Sequence, residues 1–245
     1  QRRIRRCCPK LEPYVGSLTE RLNIDVTLVK ALVAEQFPQW KDLTVSPVEE
    51  QGWDNRTFRL GDQLSVRLPS AACYAPQTQK EQAWLPKLAD SLPLQIPAPL
   101  ALGKPSSLYP FEWSVLRWLN GETFSLQAMA GRSDVGTALA EFLTAMHQID
   151  TTDGPLAGDH NFHRGGSLTV YSADMENALP KLNIDSATAD DVWQTALSSN
   201  WKRKPVWVHG DFAPSNILTS ENGISAVIDF GGLGVGDPAC DLVIA

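Results

Sequence analysis

No run of 18 apolar residues occurs in this chain of 245, and without one no helix can span a bilayer. Histidine and cysteine are scarce, four of each. The cysteines, Cys7, Cys8, Cys73 and Cys240, form no CxxC pair, so the sequence supports neither a zinc knuckle nor a thioredoxin-type site. Their usage suits a reducing cytoplasm. The histidines, His147, His160, His163 and His209, show no HExxH spacing. Net positive charge is also missing. With 21 basic and 28 acidic side chains the chain carries −7, which argues against sequence-independent nucleic-acid binding. Internal repeats and low-complexity tracts are absent. What is present is 43% hydrophobic residues, too many for a disordered chain and enough for a core that needs no disulfide or metal staple.

The charge is uneven. Residues 1–10 hold Arg2, Arg3, Arg5, Arg6 and Lys10 and no acid, which leaves −12 on the rest. Pro9, Glu12, Pro13 and Gly16 follow in place of the apolar region a signal peptide needs. Residues 1–16 therefore read as a disordered or foreign tail. The other end stops at Asp241-Leu-Val-Ile-Ala245, inside an apolar run. This reads as a chain truncated at its C-terminus.

Between these ends the pattern changes once. Residues 24–36 have helical periodicity, with Asp25 placed to cap the start. Residues 44–68 read as strands, with 57–60 and 64–68 joined through Gly61-Asp62-Gln63. Alternation puts Leu64, Val66 and Leu68 on one sheet face, and Ser65 and Arg67 on the other. Residues 76–90 look helical, with Pro86 expected to break or kink them. Pro93, Pro97, Pro99 and Pro105 mark a connector. Residues 112–119 read as a buried strand ending at Asn120-Gly121. A strong amphipathic helix covers 134–148, 150–167 read as loop, and helical segments follow near 169–182 and 188–200. Strands at 205–208 and 224–229 bracket a loop. The expectation is an α+β chain with an N-terminal lobe over 17–118 and a mainly helical lobe over 119–245.

The chemistry concentrates in the second lobe. Asp211 is followed five residues later by Asn216 and, thirteen after that, by Asp229. Phosphoryl transfer from a nucleoside triphosphate calls for these residue types. Mg²⁺ prefers hard oxygen ligands and keeps several waters, so one Asp and one Asn can hold it. A separate carboxylate orients the acceptor hydroxyl and takes its proton. Asp211 fits that base, and Asn216 and Asp229 fit the metal ligands.

The segment resembles the aminoglycoside phosphotransferase and choline kinase-like family of small-molecule kinases. The pattern HGDxxxxN is met by His209, Gly210, Asp211 and Asn216, and I-D-F/W-G by Ile228, Asp229, Phe230 and Gly231. GDPxxDL is met by Gly236, Asp237, Pro238, Asp241 and Leu242. The resemblance implies a protein kinase-like bilobal fold, with an antiparallel-sheet lobe before a mainly helical one. It also implies a kinase using Mg²⁺ and ATP or GTP. By resemblance Asp241 supports the catalytic loop near His209, and His209 braces it. Asp237 is expected to cap the turn into the last helix, and His147 to be a packed core histidine.

The first lobe matches more loosely. A kinase grips phosphate with a strand lysine paired to a helix glutamate. Here Arg67 stands at the lysine position with Glu81 on the next helix, and Ser65 is the small residue that would roof the adenine. An ordinary surface ion pair would account for Arg67 and Glu81 as well. Gly52 is the one glycine in the segment 51–55, where a phosphate-covering loop is expected. Asp54 or Asn55 could equally close a turn there. The adenine is expected against backbone groups around Arg117 and Leu119, with Trp118 either nucleotide wall or core.

The acceptor is expected to be small and cationic, with an aminoglycoside as namesake and choline, homoserine or a macrolide as alternatives. Asp153, Asp159, Asp174, Glu176, Asp185, Asp190 and Asp191 are candidates to hold it, or simply a solvated acidic face. Part of the acceptor pocket is expected beyond Ala245. Two other classes compete: a non-catalytic nucleotide-binding pseudokinase, motivated by Arg67 and the glycine-poor loop, and a metal hydrolase using His209 and Asp211.

Overall fold

The computed structural model describes residues 20–125, 127, 132–182 and 184–244. The basic N-terminal tail with Cys7 and Cys8, and the last residue, lie outside them.

Helix α1 (Val26–Gln36) starts as expected, with the Asp25 carboxylate accepting the Leu28 N–H at 2.8 Å. Strands β1 (Val45–Pro47), β2 (Asn55–Leu60), β3 (Leu64–Pro69), β4 (Pro99–Gly103) and β5 (Trp113–Arg117) form one antiparallel sheet in the order β1-β2-β3-β5-β4. The β2–β3 hairpin turns at Gly61, whose φ of +59° suits glycine. Alternation along β3 sends Val66 and Leu68 into a core shared with Leu32 and Val33 of α1. Ser65 and Arg67 face the other way, yet both are buried.

Of the break or kink expected at Pro86, helix α2 (Ala75–Ala89) excludes the break, because the helix runs through it. Only three residues remain after the proline. Leu85 and Leu88 on either side of it are packed into the second core, which holds that last turn. A second correction falls in the proline-rich stretch, where β4 is a strand and not connector. An edge strand tolerates proline at its first residue because half its backbone groups need no ladder partner.

The helical lobe holds β6 (Glu122–Thr123), α3 (Ser133–Gln148), α4 (Ser172–Ala178), α5 (Ser186–Ser198), β7 (Val206–Val208), β8 (Ile217–Ser220), β9 (Gly223–Val227) and β10 (Gly234–Gly236). The stripe of α3 buries Val135, Phe142, Leu143 and Met146. The segment 169–182 is not one helix. Tight helical turns at Leu168–Tyr171 and Leu179–Lys181 flank the short α4. Sequence periodicity did not indicate β6, β8 or β10. They are two to four residues long, too short to show a period.

The second core joins Leu85, Leu88 and Ile96 to α3, Trp207, Phe212 and Phe230. The backbone at Gln95 bridges to Ala226 of β9 and accepts the Val227 N–H at 2.9 Å. Helix α2 thus serves both lobes: its first turns lie beneath the sheet and its last turn is buried with α3.

Candidate active site

Arg67 leaves β3 on the face away from the core. Its Nη1 donates to Glu81 Oε1 of α2 at 2.6 Å, and its Nη2 donates to Asp229 Oδ1 after β9. The Arg67 and Glu81 side chains are only 10% and 3% exposed, so the surface-pair alternative does not hold. Burial works against the Arg67 charge, but Asp229 and Glu81 together raise its pKa above the ordinary value. Burial pushes the Glu81 carboxyl up even with Arg67 beside it. Asp229 differs. Burial would raise it too, yet the Arg67 guanidinium beside it holds it below the usual range. Its side chain keeps 37% of its surface open to the cleft.

The loop after β7 carries His209, Gly210 and Asp211, and β8 begins just after Asn216. Asp241, fully buried, accepts the His209 N–H at 2.7 Å and the Gly210 N–H at 2.8 Å, one on each oxygen. Gly210 has φ of +80°, and a Cβ there would stand 2.2 Å from the Gly232 carbonyl oxygen. Only glycine fits both conditions. His209 lies 3.0 Å from the Ile228 carbonyl through Nε2, and its Nδ1 accepts the Asp211 N–H at 3.2 Å. Those partners assign a neutral ring protonated at Nε2. With both nitrogens used, His209 has none left for zinc, which removes the hydrolase alternative. Asn216 Nδ2 donates to Asp211 Oδ2 at 2.9 Å and to the Asp211 carbonyl at 2.8 Å. The amide's nitrogen end therefore faces Asp211, while the Asp211 carboxylate stays exposed. Asp237 caps as expected, accepting the Ala239 N–H at 2.9 Å.

Asp229 itself sits in the left-handed region, φ 63° and ψ 67°, a conformation a non-glycine residue holds only when its surroundings enforce it. Residues that the sequence reading missed surround it. Lys80 of α2 donates to the Gly231 carbonyl at 2.8 Å. Asn161 donates to the Gly232 carbonyl at 3.3 Å. Gln77 of α2 donates to Asp54 Oδ2 at 2.9 Å and accepts from Asn55 at 3.3 Å. Asp54 and Asn55 are thus held by α2, and Asn55 opens β2. Burial raises the Asp54 carboxyl, with Asp229 and Asp211 near enough to add to the rise. One signal could have found Lys80 and Gln77. At helical spacing, 77, 80, 81, 85 and 88 share one side of α2, and all five are buried.

The remaining expected residues lie around this cleft. Ser65 is buried on the Arg67 face, opposite Leu116 in the sheet register. Gly52 is exposed in the β1–β2 connection, and its carbonyl accepts from Arg56 at 2.6 Å. At the hinge, Arg117 gives its N–H to Ala98 and Trp118 gives its own to Gln63, so both of these backbone donors are already used. Leu119 follows, half-buried, and Arg59 covers the Trp118 ring at 4.7 Å. His147 is half-buried, with Nε2 enclosed and unpartnered among the described residues.

Residues 44–245 match the family model described as the phosphotransferase enzyme family. The chain belongs to that family. Its members are small-molecule kinases, and this chain has their bilobal kinase-like fold. No curated protein matches the chain at a significant level. Among solved structures it is similar to a GDP complex of aminoglycoside 2'-phosphotransferase-IIIa (F108L mutant). The TM-score is 0.71 at 21% identity, over 89% of this chain and 76% of that one. The streptomycin–ATP complex of APH(2")-IIa has a TM-score of 0.60 at 20% identity, covering 90% and 74%. The macrolide 2'-phosphotransferase MphH from Brachybacterium faecium has 0.60 at 21%, covering 89% and 75%.

Proposed function

We propose that this small-molecule phosphotransferase moves the γ-phosphoryl group of ATP or GTP to a hydroxyl of a small, cationic acceptor such as an aminoglycoside. The observation that carries the reading is Arg67 bridging Glu81 and Asp229. A strand, a helix and a loop 162 residues away meet there in a charged cleft that Asp211 also serves.

In this reading Asp211 accepts the acceptor's proton and aligns its oxygen, and Asn216 fixes Asp211 through one bond to its carboxylate and one to its carbonyl. Arg67 binds phosphate with donors left over from Glu81 and Asp229. Ser65 faces the adenine, the Arg117 carbonyl and Leu119 N–H read its edge, and the 51–55 loop around Gly52 covers the phosphates. Asp241 and His209 hold the loop. The donor set fits Mg²⁺. Asp229 presents a carboxylate kept ionised and partly open, and Asn216 spends its nitrogen on Asp211, which leaves its oxygen as a hard ligand. Among the described residues no three His, Cys, Asp or Glu gather as a metal cluster; this reading gives Asn216 as the second protein ligand beside Asp229. Bound there, Mg²⁺ would neutralise charge on the phosphate oxygens.

The acidic body favours an amine-bearing acceptor. Three of the candidate acids have local partners instead: Asp185 caps α5, Asp159 pairs with His163 and Asp190 accepts from Gln194. Asp153, Asp174, Glu176 and Asp191 remain as acceptor contacts. The reading places the reaction in the cytoplasm, where nucleoside triphosphates are held. No described helix is long and apolar enough to cross a membrane.

The test is phosphate transfer from ATP and GTP, with Mg²⁺, to a panel of aminoglycosides, macrolides, choline and homoserine. Asp211→Asn should lower kcat by about 10²–10⁴-fold, the worth of a general base, and leave nucleotide affinity intact. Nucleotide binding with no turnover on any acceptor would favour the pseudokinase reading, which Arg67 at the lysine position supports.

A further inference from the structure

Lys80 has no part in the reaction just described, yet it is a buried cation. Its residue is 8% exposed. Its ammonium donates to the Gly231 carbonyl at 2.8 Å and the His160 carbonyl at 3.1 Å, and lies 3.2 Å from His160 Nδ1. His160 Nε2 meets the Leu156 carbonyl at 2.8 Å. That bond puts the ring proton on Nε2 and turns Nδ1 into an acceptor for Lys80. The adjacent Glu81 is bonded to Arg67. Burial drives the Lys80 pKa down to about 7 in spite of Glu81. A buried amine whose hydrogen-bond partners are all neutral is a poor way to stabilise a fold, since an apolar side chain would pack there at less cost.

What the cation holds accounts for it. Gly231 lies two residues past Asp229, in the turn whose backbone is left-handed at Asp229. The next carbonyl, Gly232, is bonded by Asn161, which is fully buried and is anchored by the Arg164 carbonyl and the Gly158 N–H. The Gly232 carbonyl also packs on Gly210 of the loop carrying Asp211. A shift of this turn would therefore move both carboxylates of the proposed site.

We propose that Lys80 is a positioning residue. With Asn161 it clamps the Gly231 and Gly232 carbonyls and so fixes the turn that presents Asp229. The proposal rests on the phosphotransfer reading for the role of Asp229, but the clamp itself can be measured without turnover.

Lys80→Met keeps the stem and removes the donor. Hydrogen exchange followed by mass spectrometry should show the 229–233 peptide exchanging about tenfold faster, as a locally loosened unit does, with the β2–β3 strands unchanged. The nucleotide KM measured with Mg²⁺ should rise and kcat should fall, while nucleotide affinity without metal stays at the wild-type value. A variant that is less stable but exchanges evenly faster throughout, or exchanges at the wild-type rate over 229–233, overturns the clamp. If Lys80→Met does not fold, Asn161→Ala should produce the same local rise, and a wild-type rate there overturns it. If neither variant folds, the wild-type protein decides. A 229–233 peptide exchanging as fast as the surface segment 168–182 sinks the proposal, whereas one as slow as β2–β3 sustains it. An inactive enzyme with the expected exchange pattern would overturn the phosphotransfer reading and leave the clamp standing.

Discussion

On the sheet side of the cleft, Arg67 rises from β3, whose backbone is paired with β2 on one edge and β5 on the other. On the opposite side Asp211 and Asp229 stand on loops, and several of the backbone groups around them are satisfied by side chains. Asp241 takes two N–H groups, while Lys80 and Asn161 take two carbonyls. Removing a side chain from the sheet side leaves the ladder intact. Removing one from the loop side exposes buried backbone donors or acceptors directly. The sheet half is therefore a scaffold that carries a charge, and the loop half is a set of charges that hold up a scaffold.

Asp241→Ala should do the greatest damage to stability. It leaves the His209 and Gly210 N–H groups buried without an acceptor, at about 4 kcal/mol for two such donors. Urea denaturation would measure the loss, and turnover should vanish with the loop geometry. A loss under about 1 kcal/mol, no larger than one ordinary hydrogen bond contributes, would break the contrast drawn between the halves.

Arg67→Lys sharpens it from the other side. The strand pairing and the positive charge survive, so the fold should lose less than in Asp241→Ala. A single ammonium cannot reproduce the fork that reaches Glu81 and Asp229 together. Nucleotide affinity in the presence of Mg²⁺ should fall about tenfold, the worth of one charge-assisted bond, near 1.4 kcal/mol. Calorimetry reads this directly. Unchanged or tighter binding would show that Arg67 acts as a point charge and that its fork is incidental.

The same contrast explains what could be read from the chain. The β2–β3 hairpin, the α3 stripe and the Asp25 cap were legible because each follows a local rule of period, turn or cap. Arg67 and Glu81 were legible because alternation on β3 placed one and a following helix offered the other. The loop residues were visible only as a motif; spacing alone does not say that Asp241 would serve His209 and Gly210. Lys80 and Asn161 belong to no motif because their partners are backbone carbonyls, which every residue has. Their polar character on a buried face was the available sign. The short strands β8 and β10 escaped for a different reason. They are four and three residues long, too short for alternation to show.

The smallest effect should come from an ion pair at the rim of the sheet. Lys104 Nζ lies 2.8 Å from Glu112 Oε1, with the lysine side chain 64% exposed and the glutamate 15%. Burial would raise the Glu112 carboxyl, but bonds from Lys104 and Gln79 hold it below its ordinary value. A carboxyl with a lowered folded-state pKa stabilises the protein above its unfolded value of 4.5, and the contribution is lost as pH falls through the folded value. Lys104→Met should therefore cost less than about 1 kcal/mol at neutral pH, since water and salt screen an exposed pair. The deficit should shrink as the pH is lowered past that of a free glutamate, and in high salt. Denaturation of wild type and variant at neutral and acidic pH measures it. A cost approaching that of Asp241→Ala, or one that persists in acid, would mean that the sheet half also depends on a single charged side chain.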